Sequence, residues 1–116
     1  MLLYATDLLF TTKVSATARA ASAPLAIVRG VASLREKLAS GEHRTLIVDL
    51  DADDAVAAIE ETRATGSGAG SPIRILAFVS HVRADLVAAA RAAGADEVMA
   101  RSAFVMRLEA IVSEGG

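Results

Sequence analysis

Asp7, Asp49, Asp51, Ser80, His81 and Arg101 are the side chains whose types and placement could do chemistry. Each falls where a short apolar run stops: Asp7 after residues 2–6, Asp49 and Asp51 after 45–48, Ser80 and His81 after 73–79, and Arg101 after 97–100. In an open parallel sheet the carboxyl ends of the strands share one rim, and functional groups gather there. Carboxylates converging on such a rim offer the oxygen ligands that Mg²⁺ takes, usually one or two at a time with water completing the shell. An aspartate beside that ion could accept a phosphoryl group, with a cation such as Arg101 stabilising the added charge. The competing account is structural, because Asp is also common as a helix N-cap and in loops at strand ends.

These positions converge only if the apolar runs are strands of one sheet. Residues 2–6, 25–28, 45–48, 73–79 and 97–100 read as strands, and 45–48 is apolar on both faces, as a parallel strand covered on both sides must be. Between them apolar residues recur at helical spacing: Phe10, Val14, Ala18 and Ala21; Val31, Leu34 and Leu38; Val56 and Ile59; Leu86, Val87 and Ala90; Phe104, Leu108, Ile111 and Val112. Asp51 is expected to cap the third helix, with Asp53 and Asp54 in its first turn, and Ser102 to cap the fifth. Gly94 suits a left-handed C-cap for the fourth. Strand–helix alternation demands right-handed crossovers, and the order 2-1-3-4-5 fits the length. The expected fold is therefore α/β: three layers, flavodoxin-like, a five-stranded parallel sheet with five helices, in a single domain over residues 1–116.

Composition removes several function classes. At 53% hydrophobic and 22% charged residues the chain is too apolar for a disordered tail. Its net charge of −2 is spread without a basic run, so no nucleic-acid partner is expected. Cysteine is absent, which excludes disulfides, thiolate nucleophiles and cysteine-ligated metals and suits a cytoplasmic protein. No signal peptide and no membrane-spanning stretch is read. The glycine-rich segment 66–71 follows a helix and precedes a strand, the reverse of the order that cradles phosphate, and reads as a flexible connection. Ser80 and His81 are neighbours whose side chains diverge, so no hydrolytic pair is expected. His43, between Glu42 and Arg44, reads as a solvated turn residue.

The stretch from Phe78 to Phe104, with Gly94-Ala95-Asp96-Glu97-Val98 and Arg101-Ser102-Ala103-Phe104, resembles the fourth- and fifth-strand region of response-regulator receiver domains of the CheY-like kind. Thr45-Leu46-Ile47-Val48-Asp49 is similar to the strand that delivers the family's phospho-accepting aspartate, and the separation of Asp49 from Arg101 is similar to that between this aspartate and the family's lysine. The resemblance implies Asp49 as phospho-acceptor candidate, Arg101 as the charge-responding group, Ser80 as the hydroxyl, and Asp7, Asp49 and Asp51 as ligands for Mg²⁺ if that site works. The departures are specific. Only Asp7 stands where receivers carry an acidic pair, and Val79 takes the hydroxyl position with Ser80 one place late. Arg101 replaces the lysine, Ser102 stands where a proline is usual, and the Met-Pro and Asp-Gly signals are missing from residues 50–58.

The expectation is a receiver-like module for signalling and protein interaction, with phosphorylation lost or unconventional, no enzymatic activity and no required cofactor. In the family the usual contact face is helix 4, strand 5 and helix 5, which here would carry Arg83, Asp85, Arg91, Arg101, Arg107 and Glu109 toward a protein partner or a second copy in a homodimer. No DNA-binding or catalytic segment is read in residues 1–116, so output is expected to pass through a partner or through a region outside these residues. One alternative is a Mg²⁺-dependent receiver modified on Asp49. The other is a small-molecule or flavin-binding flavodoxin-like domain, against which one Tyr, three Phe and no Trp leave few rings.

Overall fold

The computed structural model describes residues 1–65, 67–68, 71–80 and 83–115. Five parallel strands, β1 (Leu2–Tyr4), β2 (Ala26–Val28), β3 (Thr45–Asp49), β4 (Arg74–Val79) and β5 (Glu97–Ala100), form one sheet in the order 2-1-3-4-5. They alternate with α1 (Leu8–Ala20), α2 (Val31–Leu38), α3 (Ala55–Thr65), α4 (Ala84–Ala93) and α5 (Arg101–Gly115). This is the α/β architecture that the alternation of periods predicts.

Successive strand residues point to opposite faces, so the sheet divides its apolar side chains between two cores. Leu46, Val48, Ile75, Ala77 and Val79 pack with Leu34, Leu38, Ile59 and Ala90 on one side, beneath α2, α3 and α4. Ile47, Leu76 and Phe78 pack with Phe10, Val14, Phe104, Leu108 and Ile111 on the other, beneath α1 and α5. All of β3 is buried. Every residue foreseen on the α5 stripe is buried as well.

Several local expectations need correction. Asp51 does not cap α3, which begins only at Ala55. Leu50 extends the β3 ladder by donating its N–H to Phe78 O (2.9 Å), and Ala52 N–H turns back to Asp49 O (3.0 Å). The chain then passes through Asp54 at φ +60°, a left-handed conformation that Asp tolerates, and Asp54 O accepts the N–H of Ala58 (2.9 Å). Tyr4 Oη, from β1, donates to Asp53 O (2.9 Å) and pins this turn. Nor does Ser102 cap α5, since that helix starts at Arg101 directly off β5. His43 is half-buried, with Nδ1 3.2 Å from the Met1 amine, and burial lowers its pKa. In the segment read as a flexible connection, Ser67–Gly68 pairs antiparallel with Ser71–Pro72, while Gly66, Ala69 and Gly70 lie outside the described residues.

Gly94 does close α4, at φ +121°. A second constraint acts there: a Cβ on Gly94 would stand 2.6 Å from Arg63 Cγ. Arg63 cannot easily yield, because its guanidinium donates to Gly94 O, Ile73 O and Asp96 Oδ2 at 2.8, 2.6 and 2.7 Å. Among the described residues no helix is long and apolar enough to cross a membrane.

Candidate functional site

Asp49 is the last residue of the central strand, and its alternation places it on the α1/α5 side of the sheet, in register with Phe78 of β4. Only 2% of the residue is exposed. Its Oδ1 accepts the Asp51 N–H (2.9 Å). Burial pushes its carboxyl pKa up; the Asp51 N–H and Arg101 oppose that rise, and the carboxylates of Asp51 and Asp7 add to it.

Asp7 is the N-cap of α1, its Oδ1 accepting the Phe10 N–H (3.1 Å). That bond, with help from Arg101, holds its pKa below the usual carboxylate range. Arg101 reaches back across the rim from the first turn of α5. Its Nη2 lies 3.2 Å from Asp7 Oδ2 and 3.8 Å from Asp49 Oδ2, so one guanidinium nitrogen stands between the two carboxylates.

The guanidinium is also held from below. Its central carbon lies 4.2 Å from the centre of the Phe10 ring and 5.7 Å from that of Phe78. Phe10, Phe78 and Phe104 form a continuous cluster, with centroids 4.8, 4.6 and 5.8 Å apart, and Phe78 stacks nearly parallel on Phe104. A cation over a ring face is attracted by the ring's quadrupole, the more so as water is excluded. Arg101 Nε is buried and has no hydrogen-bond partner among the described residues. It has given up an acceptor for the ring face.

These three rings are all the phenylalanines of the chain, and sequence reasoning did not connect them with the site. A signal was present: Phe10 follows Asp7 by three positions and Phe104 follows Arg101 by three. That interval places each ring on the same helix face as its polar neighbour.

Asp51 and Ser80 form a second pair. Asp51 Oδ2 accepts both the backbone N–H of Ser80 (3.0 Å) and its Oγ–H (2.5 Å), tying the end of β3 to the end of β4. Val79, at the position where receivers carry a hydroxyl, packs into the α2–α4 core. His81 lies outside the described residues. Among the described residues no three His, Cys, Asp or Glu side chains are grouped so as to hold a metal ion. The rim thus brings Asp7, Asp49 and Arg101 into one cluster and directs Asp51 to Ser80.

Of the residues expected on the α4–β5–α5 face, Arg83 pairs with Asp85 (3.7 Å) and Arg107 with Glu97 (3.4 Å), while Arg91 is exposed. Glu109 instead lines the groove between α1 and α5, with Lys13 and Met106. Tyr4 and the three phenylalanines are all buried, so none presents a face for sandwiching a flavin.

No family model and no curated protein sequence matches the chain. Solved structures do. An orphan response regulator of Helicobacter pylori, HP1043, superposes with a TM-score of 0.72 at 15% identity, covering 96% of this chain and 93% of that one. The beryllofluoride-activated NtrC4 receiver domain dimer gives 0.73 at 15% identity, covering 99% and 97%. An atypical orphan response regulator described as having a phosphorylation-independent regulatory mechanism gives 0.70 at 15% identity, covering 96% and 92%. At these identities the likeness is one of fold: the chain has the receiver fold.

Proposed function

We propose that this chain is a receiver-like signalling module that acts by binding another protein, and that conventional phosphorylation of Asp49 has been lost. The observation that carries this reading is the position of Arg101, between Asp7 and Asp49 and over the Phe10 ring. Phosphoryl transfer to Asp49 needs a free carboxylate, a divalent cation that bridges it to the phosphodonor, and groups left over to answer the new charge. Here the answering cation is already engaged with both carboxylates, and the Ser80 hydroxyl is engaged with Asp51. With Arg101 between Asp7 and Asp49, the residues do not fit a Mg²⁺ site in this arrangement. Solved receiver folds span both behaviours, beryllofluoride activation in one and phosphorylation-independent regulation in another. The distribution of cations at this rim favours the second.

The surface offered to a partner is α4–β5–α5, where Arg91 is exposed and Arg83, Asp85, Arg107 and Glu97 present mixed charge. The test is incubation with Mg²⁺ and acetyl phosphate, followed by intact-mass measurement, and a parallel titration with beryllofluoride followed by NMR. The expected result is no mass gain and no shift of the Asp49 region. A mass gain that vanishes in Asp49→Asn overturns the proposal and establishes the alternative, a receiver modified on Asp49.

A further inference from the structure

We infer that Arg101 is a built-in cation that occupies the position a divalent ion would take at the rim, so that the chain itself supplies a counter-charge to the two carboxylates. The inference rests on the receiver reading above and adds what sets the charge of the site. Three contacts fix the guanidinium: Asp7 Oδ2 at 3.2 Å, Asp49 Oδ2 at 3.8 Å and the Phe10 ring at 4.2 Å. Because α5 begins at Arg101 with no loop after β5, the backbone has little slack to withdraw it.

A divalent ion entering between Asp7 and Asp49 would meet that fixed charge within a few ångströms, where like charges repel even across a rim that solvent partly screens. To bind, it would have to expel the guanidinium from both carboxylates and from the ring. Mg²⁺ also gives up its own waters reluctantly and depends on several oxygen ligands to compensate. Asp51, the third carboxylate of the rim, accepts two hydrogen bonds from Ser80 through one of its oxygens. An arginine in this place is therefore more than a substitute for lysine. It makes the rim indifferent to divalent cations, and removing it should create the site that its presence blocks.

The probe is Mn²⁺ alone, with no phosphodonor, followed by the EPR signal of free ion on titrating the full chain. Wild type is expected to show no saturable binding that depends on Asp49. Arg101→Ala and Arg101→Gln, each verified as folded by circular dichroism, are expected to bind Mn²⁺ about tenfold more tightly or better, and Asp49→Asn in either background to abolish the gain. Phe10→Leu keeps the guanidinium but removes the ring beneath it, and is expected to gain a smaller part. Asp49-dependent binding by wild type as tight as that of the variants overturns the inference, and so does the absence of any gain in a folded variant. The two failures are distinguishable. No phosphoryl uptake and no gain in the variants leaves the functional reading standing without this one; Mg²⁺-dependent phosphoryl uptake on Asp49 by wild type overturns both.

Discussion

Replacing Arg101 by Gln removes the charge beside Asp49 while keeping much of the stem, so its cost measures how far the buried carboxylate depends on that cation. Unit charges 3.8 Å apart interact by about 4 kcal/mol at an effective dielectric constant of ~20. Arg101 keeps 31% of its side-chain exposure and shares its charge with Asp7, so solvent and the second carboxylate reduce the net effect. We expect Arg101→Gln to destabilise the fold by about 2 kcal/mol at neutral pH, the lower end for stranding a buried charge. With Asp49→Asn already present, only the ring contact and the exposed pair with Asp7 are lost, about 1 kcal/mol. The double-mutant cycle should therefore show a coupling of about 1 kcal/mol. The pH dependence has a definite sign. Burial raises the pKa of Asp49, so the folded chain holds that proton at a pH where the unfolded chain has lost it. Stability then falls as pH rises from the ordinary carboxylate range through the raised value. Without Arg101 the carboxyl rises further, so the penalty of Arg101→Gln should be smallest in acid and grow toward neutrality. Urea denaturation of the four proteins at acid and neutral pH measures both quantities. A neutral-pH coupling within about 0.5 kcal/mol of zero, or a penalty that does not grow with pH, refutes the placement of Arg101 against Asp49.

Three further outcomes follow from the packing. Phe104→Ala removes a fully buried ring from the aromatic cluster and should cost about 3–5 kcal/mol, seen as a large fall in Tm by calorimetry. Gly94→Ala should cost more than about 1 kcal/mol in urea denaturation, because φ +121° is unfavourable to alanine and its Cβ meets Arg63; Arg63→Ala should relieve the second part only. Tyr4→Phe deletes the bond to Asp53 O and should cost about 1 kcal/mol, with faster amide exchange concentrated in residues 50–54.

The sheet was legible because period and burial agree along the chain: β3 is buried throughout with Leu46, Ile47 and Val48 at its centre, and the α5 residues at helical spacing are the ones that pack. Asp49 was legible for the same reason, as the polar residue that ends the central apolar run. The direction of Asp51 was not. An Asp shortly before a helical pattern reads as a cap, yet the ladder bond from Leu50 and the turn pinned by Tyr4 delay α3 by several residues and leave Asp51 to face Ser80. Both bonds join segments distant in sequence, and no local spacing encodes them. The scarcity of aromatic residues was misleading in another way. Few rings spread through a core would have been incidental, but all three phenylalanines form one cluster, with Arg101 over Phe10 and Phe78.

That gathering has a consequence for how the rim behaves. Phe10 belongs to α1, Phe78 to β4 and Phe104 to α5, while Arg101 joins the start of α5 to the cap of α1 and the end of β3. The polar site and the α1/α5 core are therefore one packed unit. Moving the guanidinium away from the carboxylates also means lifting it off a ring that two other rings support. In a densely packed interior such a shift is not continuous, since neighbouring side chains must exchange rotamers together. A signal arriving at this rim would have to overcome the carboxylate pairs and the ring contact at once. A partner binding where α5 leaves β5 acts on the backbone that carries Arg101, and needs no chemistry at Asp49 to do so. On the reading proposed above, the residue that closes the rim to cations also makes protein contact the direct route for changing it.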